Sequence, residues 1–231
     1  MKHIPRRYKE LSSVLALMLI TTPIFWLTEL DIKVSQYFFM ANNGHWLGEQ
    51  WQWAQFLFHY LPRIINISAL LALLLALASY IKGNKKLTVI RYPAFYFVLL
   101  LLLGPGLVVN LVFKDHWGRP RPVHIDAFGC KYPYVAPLKL GHSEDKSFSC
   151  GHCAAAFNLL AAYFLARRYK GLYLILALTA GLIMSLARIA VGGHFLSDAL
   201  WSAYSVFLVG WVLYYYWYIK IPTLNRCYLT D

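Results

Sequence analysis

Six stretches of this chain are apolar over the length a helix needs to cross a membrane, and no other feature constrains the fold so strongly. At about 1.5 Å of rise per residue, a hydrocarbon core roughly 30 Å thick takes about 20 residues. Residues 12–28, 64–81, 92–113, 171–187 and 199–219 come close to that length unaided, and 153–166 does so once its neighbours are added. The composition agrees, with 59% hydrophobic and 14% charged residues against roughly 25% charged in an ordinary soluble domain. The expectation is an all-α polytopic membrane protein with six transmembrane helices. No repeat, low-complexity stretch or linker divides residues 1–231, so one integral membrane domain is expected.

Orientation follows from lysine and arginine, which favour the cytoplasmic side of short loops. Lys2, Arg6, Arg7 and Lys9 precede the first span, Lys82, Lys85, Lys86 and Arg91 join the second to the third, and Arg167, Arg168 and Lys170 join the fourth to the fifth. Acidic residues other than Glu10 and Asp231 fall on the opposite side. Both termini are therefore expected in the cytoplasm, and the net charge of +12 is chiefly a topology signal. The start has no small-x-small cleavage signal after Trp26 and reads as an uncleaved anchor. Nucleic acid is not an expected partner, because the aromatic residues gather at span ends, as in YYYWY at 214–218.

The outer side then consists of residues 29–63, 114–152 and 188–198, and three segments there carry chemistry. KDHWGRPRP at 114–122 sets Lys114, Arg119 and Arg121 where an anionic headgroup would arrive. Guanidinium groups offer paired hydrogen bonds to phosphate, and lysine adds a mobile charge. SFSCGHCAAAF at 147–157 places Gly151 and His152 at the start of the fourth helix, where free N–H groups attract anions. RIAVGGHFLSD at 188–198 holds Arg188, His194 and Asp198 beside lipid-facing sequence, although such a charge at a helix centre costs roughly 2.5–3.5 kcal/mol. If the sixth helix begins near Gly193, His194 and Asp198 lie one turn apart. The carboxylate could then fix the imidazole tautomer and leave the other nitrogen to attack phosphorus.

Lys114-x6-Arg121-Pro122, then Cys150-Gly151-His152, then Arg188-x5-His194-x3-Asp198, in that order and on one side of the membrane, resembles the type 2 phosphatidic acid phosphatase (PAP2) superfamily. The wording WGRPRP, FGCKYPYVAPL and GGHFLSDAL is similar to its bacterial envelope lipid phosphatases, including the lipid A 1-phosphatases. The resemblance implies that His194 is the nucleophile, that Asp198 assists it and that His152 protonates the leaving group. It implies that Lys114, Arg121 and Arg188, with Cys150 and Gly151, bind the phosphate. The partner would be a phosphorylated lipid of the bacterial inner membrane: lipid A, phosphatidylglycerol phosphate, phosphatidic acid or undecaprenyl pyrophosphate. One departure is that Cys150 stands where the family usually has serine. A thiol is the weaker donor, so its contact with phosphate could rest on the backbone N–H.

Cys130, Cys150 and Cys153 all fall on the outer side, and a Cys130–Cys150 bridge that would pin the loop is one of three pairings left open. No cofactor is expected. Eight histidines raise the possibility of zinc, but no His-x-x-x-His pair exists and a cation-rich pocket repels a metal ion. A lipid phosphotransferase with the same site stays open, as does a non-enzymatic anionic-lipid-binding or transport protein. A charge relay through the membrane would place charges in mid-span, whereas here only Asn66, Asn110 and Asn158 are strongly polar well inside the spans.

Overall fold

The computed structural model describes residues 5–40, 44–81 and 85–221. Lys2 and Lys82, two of the cations that set the expected orientation, lie outside them, as do both ends of the chain. Most of the described residues are helical: α1 (Arg6–Leu27), α2 (Leu30–Phe38), α3 (Gln52–Ile81), α4 (Lys85–Leu101), α5 (Gly151–Phe157), α6 (Leu160–Leu165), α7 (Lys170–Ala190) and α8 (Leu196–Val212). A two-residue antiparallel hairpin, β1 (Phe39–Met40) with β2 (His45–Trp46), interrupts them.

Five helical stretches are long and apolar enough to cross a membrane: Arg7–Leu27, Gln52–Tyr80, Val89–Lys114, Lys170–Ala190 and Leu196–Lys220. The fourth of the six expected spans differs. It is the shorter apolar stretch Gly151–Leu165, broken between α5 and α6 where the N–H groups of Asn158 and Ala161 bond three residues back, to Ala155 and Asn158. Large aliphatic side chains such as Leu19, Leu70, Leu74, Ile175 and Leu182 are exposed on the long helices. Lipid accommodates such a surface and water does not.

Two expected boundaries also shift. Residues 52–63, read as outer loop, are the first turns of α3. Hydropathy alone passes over them because His59, Pro62 and Arg63 interrupt the apolar run. Phe56 and Tyr60 stack on one exposed face at 4.7 Å, the placement an interfacial aromatic belt favours. Beyond α4 the chain continues as a π-helix, Leu102–Lys114, with Pro105 inside it. Proline lacks an N–H and breaks α-type pairing, and the Asn110 side chain donates to the Pro105 carbonyl at 2.8 Å.

The short helix α5 sits at the centre, packed on α3, α7, α8 and the π-helical segment. Its Phe157 ring fills the space beside Gly181 of α7, where a Cβ would come within 2.0 Å of the ring. A small residue is therefore required there for the helices to approach. Above this core the segments expected on the outer side are laced by main-chain bonds: Gly141 N–H to the Trp117 carbonyl (2.8 Å), Ser147 N–H to Arg119 (3.1 Å) and Val123 N–H to Gly192 (3.1 Å). The three chemistry-bearing segments thus meet over the N-terminal end of α5.

Candidate active site

Lys114 ends the π-helix, Arg121 follows in the loop, and Arg188 lies in the last turn of α7. Among the described residues none of the three has a carboxylate at ion-pair distance. The neighbouring acids are engaged elsewhere. Asp115 pairs with Lys146 at 2.6 Å, whose hydrogen bond holds its carboxyl below the usual range. Asp145 accepts from the Arg121 backbone N–H (3.0 Å) and sits 2.7 Å from His124 Nδ1. The Nε atoms of Arg121 and Arg188 are buried with no hydrogen-bond partner. A buried guanidinium N–H without an acceptor is rare in a folded protein, and two of them beside an unpaired lysine define a receptor for an anion.

The Gly192-Gly193 turn is what brings His194 to this receptor. Gly192 has φ +64° with the Trp46 ring and Val123 against it, and a Cβ on Gly193 would come within 2.5 Å of Arg188 Nη2. His194 is 1% exposed and precedes α8, so the expected start of that helix near Gly193 moves to Leu196, with Phe195 as N-cap. Asp198, fully buried, is consequently the third residue of α8 rather than a partner one helical turn along a shared face. Its Oδ2 accepts from the Phe195 N–H (2.9 Å) and from Ser147 Oγ (2.7 Å).

The tautomer expectation changes in the same way. His194 Nδ1 lies 2.8 Å from the Ser147 carbonyl oxygen and 3.7 Å from Asp198 Oδ2. A carbonyl only accepts, so Nδ1 carries the proton and Nε2 keeps its lone pair. Asp198 is at electrostatic range, not hydrogen-bond range. Burial lowers the His194 pKa to about 4, with Asp198 opposing the shift and Arg188 and Lys114 adding to it. The ring is accordingly neutral around pH 7, as a nucleophile requires.

His152, in the first turn of α5, stacks on Phe58 of α3 at 4.8 Å and 23°. The Arg188 guanidinium packs on the same Phe58 ring, 4.6 Å from its centroid. Phe58 thus sets the positions of two of the expected site residues, although it has no chemistry that a sequence motif could reveal. A cavity of about 300 Å³ opens beside Lys114, Gly151 and His152 and runs past Asn66 and Asn110 to Leu101 and Leu102. This length of cavity leads from Lys114 between α3 and the helix facing it.

Of the three disulfide pairings left open, the structure contains Cys150–Cys153, and Cys130 is a free, exposed thiol. Cys150 therefore carries no S–H to offer a phosphate. Its backbone N–H is directed to the Asp198 carbonyl at 3.5 Å. With only seven residues, α5 also has a smaller dipole than the expected full-length span, so the positive character of the site comes mainly from the three cations.

Arg119, grouped by sequence with the phosphate-binding cations, has another position. It is completely buried, its Nε bonds to the Val135 carbonyl (2.7 Å), its Nη1 to Ser197 Oγ (2.9 Å) and Asp198 Oδ1, and its Nη2 to Asp31 Oδ2 (2.9 Å). Burial opposes its charge, and Asp198 and Asp31 outweigh that penalty and raise its pKa. Asp31, unnoticed in the sequence, is buried with Ser35 and Phe38 on one face of α2. That stripe of 31, 35 and 38 was the available signal, since a carboxylate on the inward face of an amphipathic helix demands a partner. Among the described residues no group of three or more His, Cys, Asp and Glu is placed to hold a metal ion.

The family pattern described as PAP2 superfamily matches residues 93–222. A protein named Lipid A 4'-phosphatase from Francisella tularensis subsp. novicida is 36% identical over 195 residues, 83% of this chain and 87% of that one. Proteins of the same name from Rhizobium etli and Rhizobium leguminosarum are 37% and 35% identical over 101 and 105 residues, 42% and 43% of this chain and 39% and 44% of theirs. The relatives carry the 4' position in their names where the sequence wording had suggested 1-phosphatases. No solved structure matches the chain. With a pattern match over more than half its length and a relative aligned along most of both chains, this chain belongs to the PAP2 superfamily.

Proposed function

We propose that this protein is a lipid phosphatase of the bacterial inner membrane that removes the 4' phosphate of lipid A on the outer face, through a phosphohistidine. The observation that carries the reading is the set of three uncompensated cations, two of them with buried, unpartnered Nε–H donors, beside a neutral histidine with its Nδ1 committed to a carbonyl. The names of the relatives supply the substrate. In this reading Gly151–Leu165 is the fourth of six membrane crossings, shortened because its outer end is the floor of the site.

His194 Nε2 attacks phosphorus as the bond from phosphorus to the lipid oxygen breaks. The electron pair leaves with that oxygen, which takes a proton from His152. The positive charge that develops on the His194 ring faces Asp198, and Lys114, Arg121 and Arg188 hold the phosphoryl oxygens throughout. Water, deprotonated by His152, then attacks the phosphoryl group, the phosphorus–nitrogen bond breaks, and its electron pair returns to Nε2.

Purified protein in detergent is expected to release phosphate from bis-phosphorylated lipid A, with mass spectrometry placing the loss at the 4' position. Phosphatidylglycerol phosphate, phosphatidic acid and undecaprenyl pyrophosphate serve as competitors, and activity is expected to persist in excess chelator, because three fixed cations replace a metal. Loss at the other phosphate, preference for a competitor, or dependence on added zinc or magnesium would each remove the corresponding part of the reading. Orientation has its own measurement. Single cysteines at the exposed positions Lys139 and Arg168 are expected to react with an impermeant maleimide in intact cells at 139 and not at 168; the reverse pattern inverts the topology.

A further inference from the structure

We propose that Asp31 is a positioning residue of this active site, acting through Arg119 and the start of α8 on Asp198 and His194. The proposal rests on the catalytic reading above and extends it to a helix, α2, that lies outside the segments carrying the family resemblance.

Asp31 is completely buried and fully satisfied. Its Oδ1 accepts the Ser197 backbone N–H at 2.9 Å, an N–H in the first turn of α8 with no partner inside that helix. Its Oδ2 accepts from Arg119 Nη2 (2.9 Å), Tyr134 Oη (2.9 Å) and Ser197 Oγ. Asp31 therefore caps α8 from another element and holds the far side of Arg119, while the near side of the same guanidinium bonds Asp198 Oδ1. Asp198 bonds Ser147, and the Ser147 carbonyl holds His194 Nδ1. A continuous buried chain thus runs from α2 to the nucleophile.

Charge supplies the second part of the argument. Buried carboxylates cost stability unless paired, and a well-packed apolar residue usually serves the fold as well. Here two buried carboxylates share one guanidinium, leaving a net negative charge on the side from which His194 must be stabilised as its ring becomes positive. With Asp31 neutral, Arg119 and Asp198 form a self-neutralised pair and that net charge disappears. The phosphate receptor of Lys114, Arg121 and Arg188 is separate from this chain of contacts. Loss of Asp31 should therefore slow phosphoryl transfer and leave binding alone.

The test is single-turnover phosphate release from radiolabelled lipid A with enzyme in excess, where the rate constant reports the competent molecules regardless of how many fail to fold. Asp31→Asn is expected to lower the saturating rate constant by about 10- to 100-fold, with half-saturation, expressed as the concentration of folded enzyme, unchanged within about twofold. Ser197→Ala, which removes only the oxygen bridging Asp31 and Arg119, is expected to lower it by about 3- to 10-fold, and decides the matter if Asp31→Asn yields no folded protein. A wild-type rate constant in either folded variant, or a loss confined to half-saturation, overturns the proposal. Absence of release by the wild-type protein would instead remove the catalytic reading on which it rests.

Discussion

His194→Ala is expected to leave a folded protein that releases phosphate at least about 10⁴-fold more slowly, because the atom proposed to form the new bond to phosphorus is gone. The site around it survives the change: Lys114, Arg121 and Arg188 draw nothing from the imidazole, so inorganic phosphate still raises the thermal midpoint of the variant. Quenching a brief reaction with labelled substrate in alkaline detergent traps the intermediate, since phosphohistidine is stable in base and labile in acid. Label is expected on His194 in the wild type and nowhere in His194→Ala. Turnover at the wild-type rate in the variant would end the mechanism. Label on cysteine would transfer it to Cys150, which the Cys150–Cys153 disulfide makes unavailable as a nucleophile while it is oxidised.

The burial of His194 also sets the response to pH expected of the proposed nucleophile. Because the His194 pKa is lowered to about 4, first by burial and then by the nearby cations, the neutral ring persists from pH 6.5 down to about 4 and is lost only below it. The free substrate's second phosphate ionisation, near pH 6 as for phosphoserine, lies higher. The acid side of kcat/KM in the wild type is therefore expected to follow the substrate, moving when the phosphate's own pKa is changed. An acid limb fixed near 6.5 across such substrates would contradict the buried, neutral nucleophile.

The residues legible in the sequence were those that repeat a spaced pattern or disturb a hydropathy pattern. Lys114, Arg121, Arg188, His152, His194 and Asp198 all stand out as polar groups at span ends, and the structure gathers the segments that bear them. What stayed hidden depends on partners distant in the chain. Phe58 is one aromatic among many until α3 brings its ring against both His152 and Arg188. Ser147 acts on His194 through a carbonyl, which every residue possesses. Arg119 and Arg121 are two residues apart in a proline-stiffened strand. Their different environments, one sealed between two aspartates and one open to the receptor, follow from how the loop crosses α2 and α8, which spacing does not encode. The short apolar stretch Gly151–Leu165 has a similar origin: its composition is that of a membrane helix, but the residues before Gly151 form the loop that carries Ser147 rather than further helical turns.

His152→Asn discriminates between a proton donor and a structural histidine, and its expected effect depends on the substrate. An alkoxide leaving from a sugar carbon is strongly basic and needs its proton in the transition state, so removal of the acid is expected to cost about 10² to 10⁴ in kcat on lipid A. A nitrophenolate is stable without a proton at neutral pH, and on an aryl phosphate the loss should stay within about tenfold. Asparagine keeps a planar polar group beside Phe58 but gives up the stacked ring that helps to hold Phe58 under Arg188. If His152 acted only by packing, the variant would disturb Arg188 through Phe58 and depress both substrates alike, with the larger part of the effect in KM. Equal losses on lipid and aryl phosphate would therefore reassign His152 to the scaffold and leave the leaving-group proton to come from water in the cavity beside Lys114 and Gly151.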